Sequence, residues 1–202
     1  MKNLIIIAIL IIVSSCASVY ITPEGQSKAD KHQNVAILSP KVGFKANKRI
    51  DAEALKESQR TTSLDIQSEI YKWMLKRKTQ GRILINIQDV EETNVLLNRN
   101  NFDGYNLTTS EICKILNVDA VLYSNFNIDK PTSQGAAVVV GVLFGVGLQT
   151  NKATAALSIK DCQSNSMIWN YDHKFSGGLG SSSEQLVDNL MRNASKRLPY
   201  FK

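Results

Sequence analysis

Apolar residues fall into distinct patterns along the chain, and each pattern predicts an element. Short runs bounded by turn residues, Asn34–Pro40, Ile83–Ile87 and Val118–Asn127, predict buried strands. The last is apolar on both faces at its centre, which gives it a central place in a sheet. Ile66, Ile70, Trp73, Met74 and Arg77 recur at three and four, with Asp65, Glu69, Lys72 and Lys76 facing away, so a helix runs there and stops at Gly81. Asp89 with Glu92, and Thr108 with Glu111, mark two capped helix starts. The first helix is expected to reach about Arg99 and the second to end at Asn117 in the left-handed conformation. Strict alternation returns at Ala153, Ala155, Leu157 and Ile159, and again at Met167, Trp169, Tyr171, His173 and Phe175. These two strands form a hairpin around Cys162–Ser166. A final helix carries the stripe Val187, Leu190, Met191, Ala194 and Leu198, with Ser181 and Glu184 as its capping box.

Two apolar stretches fit no element of a globular domain. Lys2 precedes ten apolar residues, Leu4–Val13, which end at Ser14-Ser15-Cys16. That is the layout of a secretory signal, and it is too short to cross a bilayer core, which takes ~20 helical residues. The ending resembles the lipobox of bacterial lipoproteins; by that resemblance residues 1–15 are removed and Cys16 carries the lipid. A single acyl chain holds marginally and several hold firmly, so the resemblance implies lasting attachment to a membrane. The second stretch, 135–148, carries no charge and no polar side chain, and Gly141 and Gly145 stand at a spacing that lets helices approach closely in lipid. Three readings fit it: a segment over the core, a patch in the bilayer, or an oligomer contact. The possible membrane or oligomer contact residues are Val138, Val139, Val140, Gly141, Val142, Leu143, Phe144 and Gly145.

The polar stretches are less definite. Residues 17–33 sustain neither period, and with Cys16 they are expected to form a flexible tether in which His32 is solvated. Lys41–Lys56 is a surface loop or becomes helical from Asp51, the second being favoured for its last third. Gly177–Ser183 could cradle an anion on free amides, but it lacks the lysine of a phosphate loop.

Composition then narrows the function. Removal of residues 1–15 leaves 187 of 202 residues, enough for a single domain with a real core. The mature charge of about +5 is a mild excess, without the dense basic and aromatic blocks of a nucleic-acid binder, so no nucleic acid is expected. Lys76, Arg77 and Lys78 complement the carbonyls of a helix end, and either water or a lipid or partner contact faces them, water being favoured. Cys113 and Cys162 either bridge or stay as two buried thiols. The histidines, His32 and His173, form no zinc spacing with them. His173 is read as an edge residue and Asp119 as a turn or cap residue. No nucleophile elbow or paired acids with a histidine occur, so the expectation is no enzyme and no cofactor.

The order of elements predicts an α/β fold: a single domain over 34–202, with a mixed β-sheet of about five strands, helices packed on it and an apolar insertion at 135–148. Asn34–Pro40, Asn117-Val-Asp-Ala-Val-Leu122, and Leu157-Ser-Ile-Lys-Asp161 followed by Met167-Ile-Trp169 resemble the motifs of a group of envelope lipoproteins. The group includes the curli secretion channel CsgG, the amino-terminal domain of TolB and the penicillin-binding-protein activator LpoB. Ser124 stands where the group has a glycine, and Ser164-Asn165-Ser166 replaces its Thr-Gly hairpin. The resemblance implies a non-enzymatic adaptor or accessory of envelope assembly or secretion. Membrane lipid would be bound through acylated Cys16, and another envelope protein or further copies of the chain would be partners. Ala17 in place of aspartate favours the outer membrane. The alternative is a membrane-inserting or pore-associated oligomeric subunit using 135–148.

Overall fold

The computed structural model describes residues 17–45, 51–104, 106–129, 152–176 and 182–202. A seven-stranded mixed sheet is its frame: β1 (Ala17–Ile21), β2 (Asn34–Ile37), β3 (Lys41–Lys45), β4 (Asn86–Ile87), β5 (Ala120–Asp129), β6 (Lys152–Asp161) and β7 (Met167–Ser176). The spatial order is β1-β7-β6-β5-β2-β4, with β3 also beside β5. β5 is central as expected, antiparallel to β6 and parallel to β2 and β3.

β2 and β3 are two halves of one path along β5. Val35–Ile37 pair with Ala120–Leu122, and Lys41–Lys45 with Asn125–Asp129. Pro40, which has no N–H to give a ladder, lies in the break. The carbonyls stranded there are met from α2 (Ala52–Thr79): Ser63 Oγ donates to Pro40 O at 2.6 Å and Gln67 Nε2 to Ile37 O at 2.7 Å. A buried donor on the helix therefore supplies what the interrupted strand lacks. Ser63 and Gln67 are buried on α2 for this reason, beside the expected Ile66, Ile70, Trp73 and Met74.

The crossover from β3 to β4 uses α2, and the one from β4 back to β5 uses α3 (Val90–Arg99) and α4 (Thr109–Leu116). Crossovers of one hand that move in opposite directions along a sheet place their helices on opposite faces. The core divides accordingly. α2 and α5 (Ser183–Ala194) cover one face over Leu122, Phe126, Leu157, Trp169 and Tyr171, while α3 and α4 cover Ala36, Leu38 and Val121 on the other. Helix ends follow local chemistry. Asp89 accepts from Glu91 and Glu92 N–H, Thr108 and Glu111 form a complete capping box, and Asn117 ends α4 at φ 53°.

Several expectations need correction. Residues 17–33 are not a tether. Ala17–Ile21 pair with His173–Trp169 as the edge strand, and a short helix α1 (Gly25–Ala29) follows. Gly25 permits this, because a Cβ there would lie 2.5 Å from Ile168 O. Lys41–Lys45 is a strand rather than a loop, though the helix does begin at an Asp51 cap. Of Ile83–Ile87 only Asn86–Ile87 joins the sheet; Ile83 instead bridges Phe201. A register shift at Ile159/Lys160 turns Met167 outward, away from the buried face its hairpin partners share. The cap of α5 is Ser182, whose Oγ accepts from Gln185 N–H; Ser181 lies outside the described residues.

Candidate functional site

The sheet has two unlike ends. At one, called the rim here, β3, β5 and β7 finish and β1 and β6 begin. Lys45 pairs with Asp129, Asp129 with Lys152, Lys152 with Ser176, and Ala17 with His173 a short step away. The chain positions 16, 46–50, 130–151 and 177–181 are therefore all joined covalently to this single rim. Cys16 follows from this placement. It is bonded to Ala17, the first residue of the edge strand β1. Cys16 itself, Val138–Gly145 and the glycine-rich turn at 177–181 lie outside the described residues.

At the opposite end the hairpin turn after β6 gathers the chain. Cys162 is disulfide-bonded to Cys113 of α4. Next to it, Asp161 Oδ1 is 2.8 Å from His32 Nε2, and His32 Nδ1 is 2.7 Å from the Tyr200 hydroxyl. A carboxylate only accepts, so Nε2 carries the proton and, in the neutral ring, Nδ1 accepts from Tyr200. The other carboxylate oxygen receives Ser164 N–H at 2.6 Å and also the Ser164 hydroxyl. Lys28 of α1 donates to Ser164 Oγ at 3.2 Å. Burial would raise the Asp161 pKa, but the hydrogen bonds from Ser164 and His32 outweigh it and hold the carboxyl below its ordinary value. Tyr200 is pushed upward by burial and by the charges of Asp161 and Asp119, and so stays a phenol.

This cluster looks like the parts of a charge relay, yet its geometry is that of a clasp. The His32 and Asp161 side chains are 4% and 6% exposed, and both ring nitrogens of His32 already have protein partners. No nitrogen is left to take a proton from a substrate. What the cluster does is tie α1, the hairpin and the carboxyl-terminal segment together. Sequence reasoning missed it because His32 and Tyr200 are 168 positions apart and His32 and Asp161 are 129 apart. No local spacing marks such a set.

His173, expected at an edge, is buried because β1 covers β7. Its Nδ1 is 2.9 Å from the Tyr171 hydroxyl and its ring meets Phe175 edge-on. Burial lowers its pKa and raises that of Tyr171 to about 12. Asp119 is a cap residue as read, accepting from Gln33 and Asn34 N–H at 2.8 and 2.9 Å. Among the described residues, no group of three or more His, Cys, Asp or Glu side chains is placed to hold a metal ion. No helix among them is long and apolar enough to cross a membrane.

No protein-family model matches the chain, and no curated protein matches it. Solved structures do resemble it in part. Lipoprotein GNA1162 from Neisseria meningitidis is 11% identical, with 81% of this chain and 99% of that one aligned at a TM-score of 0.48. The PelC dodecamer from Paraburkholderia phytofirmans is 10% identical over 93% of this chain and 99% of that one, TM-score 0.42. The LpoB C-terminal domain from Salmonella enterica is 11% identical over 71% and 82%, TM-score 0.38. Of the group that the sequence motifs resemble, LpoB is thus among these neighbours. No function is carried over from likenesses at these scores.

Proposed function

We propose that this chain is an exported, lipid-anchored adaptor of the bacterial envelope, acylated at Cys16 and held rim-first against the outer membrane, where it binds another envelope protein without catalysing a reaction. The observation that carries this reading is the start of β1. Because Ala17 already pairs with His173, a lipid on the preceding residue attaches to the sheet itself and not to a loose leash. The domain then has a fixed orientation, with its opposite end turned away from the lipid. The Cys113–Cys162 disulfide supports export, since such bonds persist outside the reducing cytosol. Mass spectrometry of the mature protein tests it: a diacylglyceryl and amide-linked acyl group on Cys16 is expected, and an unprocessed amino terminus or a free thiol there would remove the anchor.

A membrane-associated oligomeric subunit is the second reading. It is favoured by the pairing of Asp129 with Lys152, which brings both ends of 130–151 to the rim where the lipid would sit. Deleting 138–147 separates the two. If the Cys16→Ser protein binds liposomes and the deletion abolishes that binding, the apolar stretch is a second membrane contact. Unchanged behaviour leaves the lipid as the sole attachment.

A further inference from the structure

The end of the molecule opposite the rim gathers cations from three separate segments of the chain, apart from the carboxylates of Asp119 and Asp161, which are held by protein hydrogen bonds. α2 runs back from the rim for 28 residues, ~42 Å at the helical rise, and closes on Lys76, Arg77 and Lys78. The carboxyl-terminal segment folds over that helix end. Lys202 N–H donates to Arg82 O at 2.9 Å, Phe201 bridges Ile83, and the Phe201 ring stacks 6.3 Å from Trp73. Arg77 lies over the same indole, 4.4 Å from its centroid. Lys196 and Arg197 occupy the 3-10 turn just before this segment. Lys76, Arg77, Arg82, Lys196, Arg197 and Lys202 thus share one end of the fold, and all but Arg77 are exposed. Among the described residues none of these six is in an ion pair; Glu69 is engaged by Lys72, Asp188 by Arg192, and Asp30 accepts from Gln26, which also donates to Pro199 O.

Cations at helix ends partly complement the exposed carbonyls, which accounts for Lys76 and Arg77. It does not account for Arg82, Arg197 and Lys202, which come from other segments and converge on the same place. Such a concentration of one sign raises the local density of the opposite sign and steers its approach. Leu84, 60% exposed, follows the bridged Ile83 and stands two positions from Arg82, so an exposed apolar side chain belongs to the same short segment as one of the cations. Arginine and aromatic residues with an apolar contact are the composition of protein interfaces, whereas a purely hydrophilic polyanion has no use for Leu84. The anchoring membrane is a poor candidate, because ~40 Å separates this end from the rim while charge is screened over ~8 Å at physiological salt.

We propose that this basic end is the docking surface for an acidic segment of a protein partner, one that carries an apolar side chain between carboxylates. The proposal rests on the adaptor reading for its biological sense, but it is tested apart from it. The acylated full-length chain in detergent micelles is titrated with a fluorescent peptide alternating glutamate and leucine. The triple variant Arg82→Glu, Arg197→Glu, Lys202→Glu is expected to bind about tenfold or more weakly, equivalent to ~1.4 kcal/mol. A control with the same charge change toward the rim, Lys56→Glu, Arg60→Glu, Lys174→Glu, is expected to stay within about twofold of the parent. Equal losses in the two triples would mean net charge alone and overturn the proposal. So would a sulfated polysaccharide that binds this end while the peptide does not. Peptide failure on a chain shown to be acylated sinks the surface and leaves the adaptor reading standing.

Discussion

The two ends of the sheet are built on opposite principles. At the end opposite the rim, the hub, segments distant in sequence are fastened to each other: α4 to the hairpin through Cys113–Cys162, α1 to the hairpin through Lys28 and Ser164, and the carboxyl-terminal segment to both through Tyr200, His32 and Asp161. At the rim no comparable fastening occurs among the described residues; the strands arrive in register and hand the chain on to 130–151 and 177–181. Under the proposed mooring at Cys16 this division has a use: the hub would keep the shape of a docking surface, and the rim would carry the connections that face the lipid.

Breaking the hub should cost far more than altering the rim. The largest effect is expected from replacing Cys113 and Cys162 together by serine. The bridge closes a loop of 49 positions, worth about 4 kcal/mol in the chain-entropy account, and the loss is read as a lower urea midpoint. Next is Asp161→Ala, which leaves His32 Nε2 buried without an acceptor and gives the Ser164 N–H to water, and should cost about 2 kcal/mol. If this variant unfolds at the parent's midpoint, the clasp is not a stabilising device.

A smaller effect sharpens the comparison by pH. His173 has its folded pKa lowered by burial, so the unfolded chain binds its proton first; stability is full above the ordinary value of 6.5 and falls as the pH drops below it. Asp161, also lowered, contributes stability that is present above 3.8 and is lost as the pH falls through its folded value. Acid should therefore weaken the fold in two stages, and His173→Phe should flatten the first while sparing the second. A single unaltered stage in that variant would assign the upper loss to another group. The least change is expected at the rim, where Lys174→Glu on the open face should move stability by no more than about 0.5 kcal/mol.

What could be read from the residues alone was whatever local chemistry decides. The Thr108–Glu111 box, the Asp89 cap, the left-handed Asn117 and the alternating hairpin all depend on neighbours within a few positions, and each stands where its spacing puts it. β1 and β3 escaped because five residues of mixed polarity become a strand only when a partner edge is offered, here by β7 and β5. The burial of Ser63 and Gln67 on α2 escaped because its cause lies in the Pro40 break, on another element. Spacing along the chain does not reveal whether Cys113 and Cys162 bridge, because that depends on the fold bringing their Cα atoms together, here to 5.8 Å. The basic end was half visible: Lys76–Lys78 stood out, while Arg82, Arg197 and Lys202 join them only through the fold of the last segment.

Orientation at the lipid surface is the claim from which the rest follows. It is measured most directly with the acylated chain on vesicles that carry a quencher in their headgroups, and a fluorophore placed either at Lys174, one residue past the partner of Ala17, or at Lys202. Strong quenching at 174 with little at 202 is the result expected of a molecule moored rim-first. Equal quenching at both positions, or the reverse order, would contradict it.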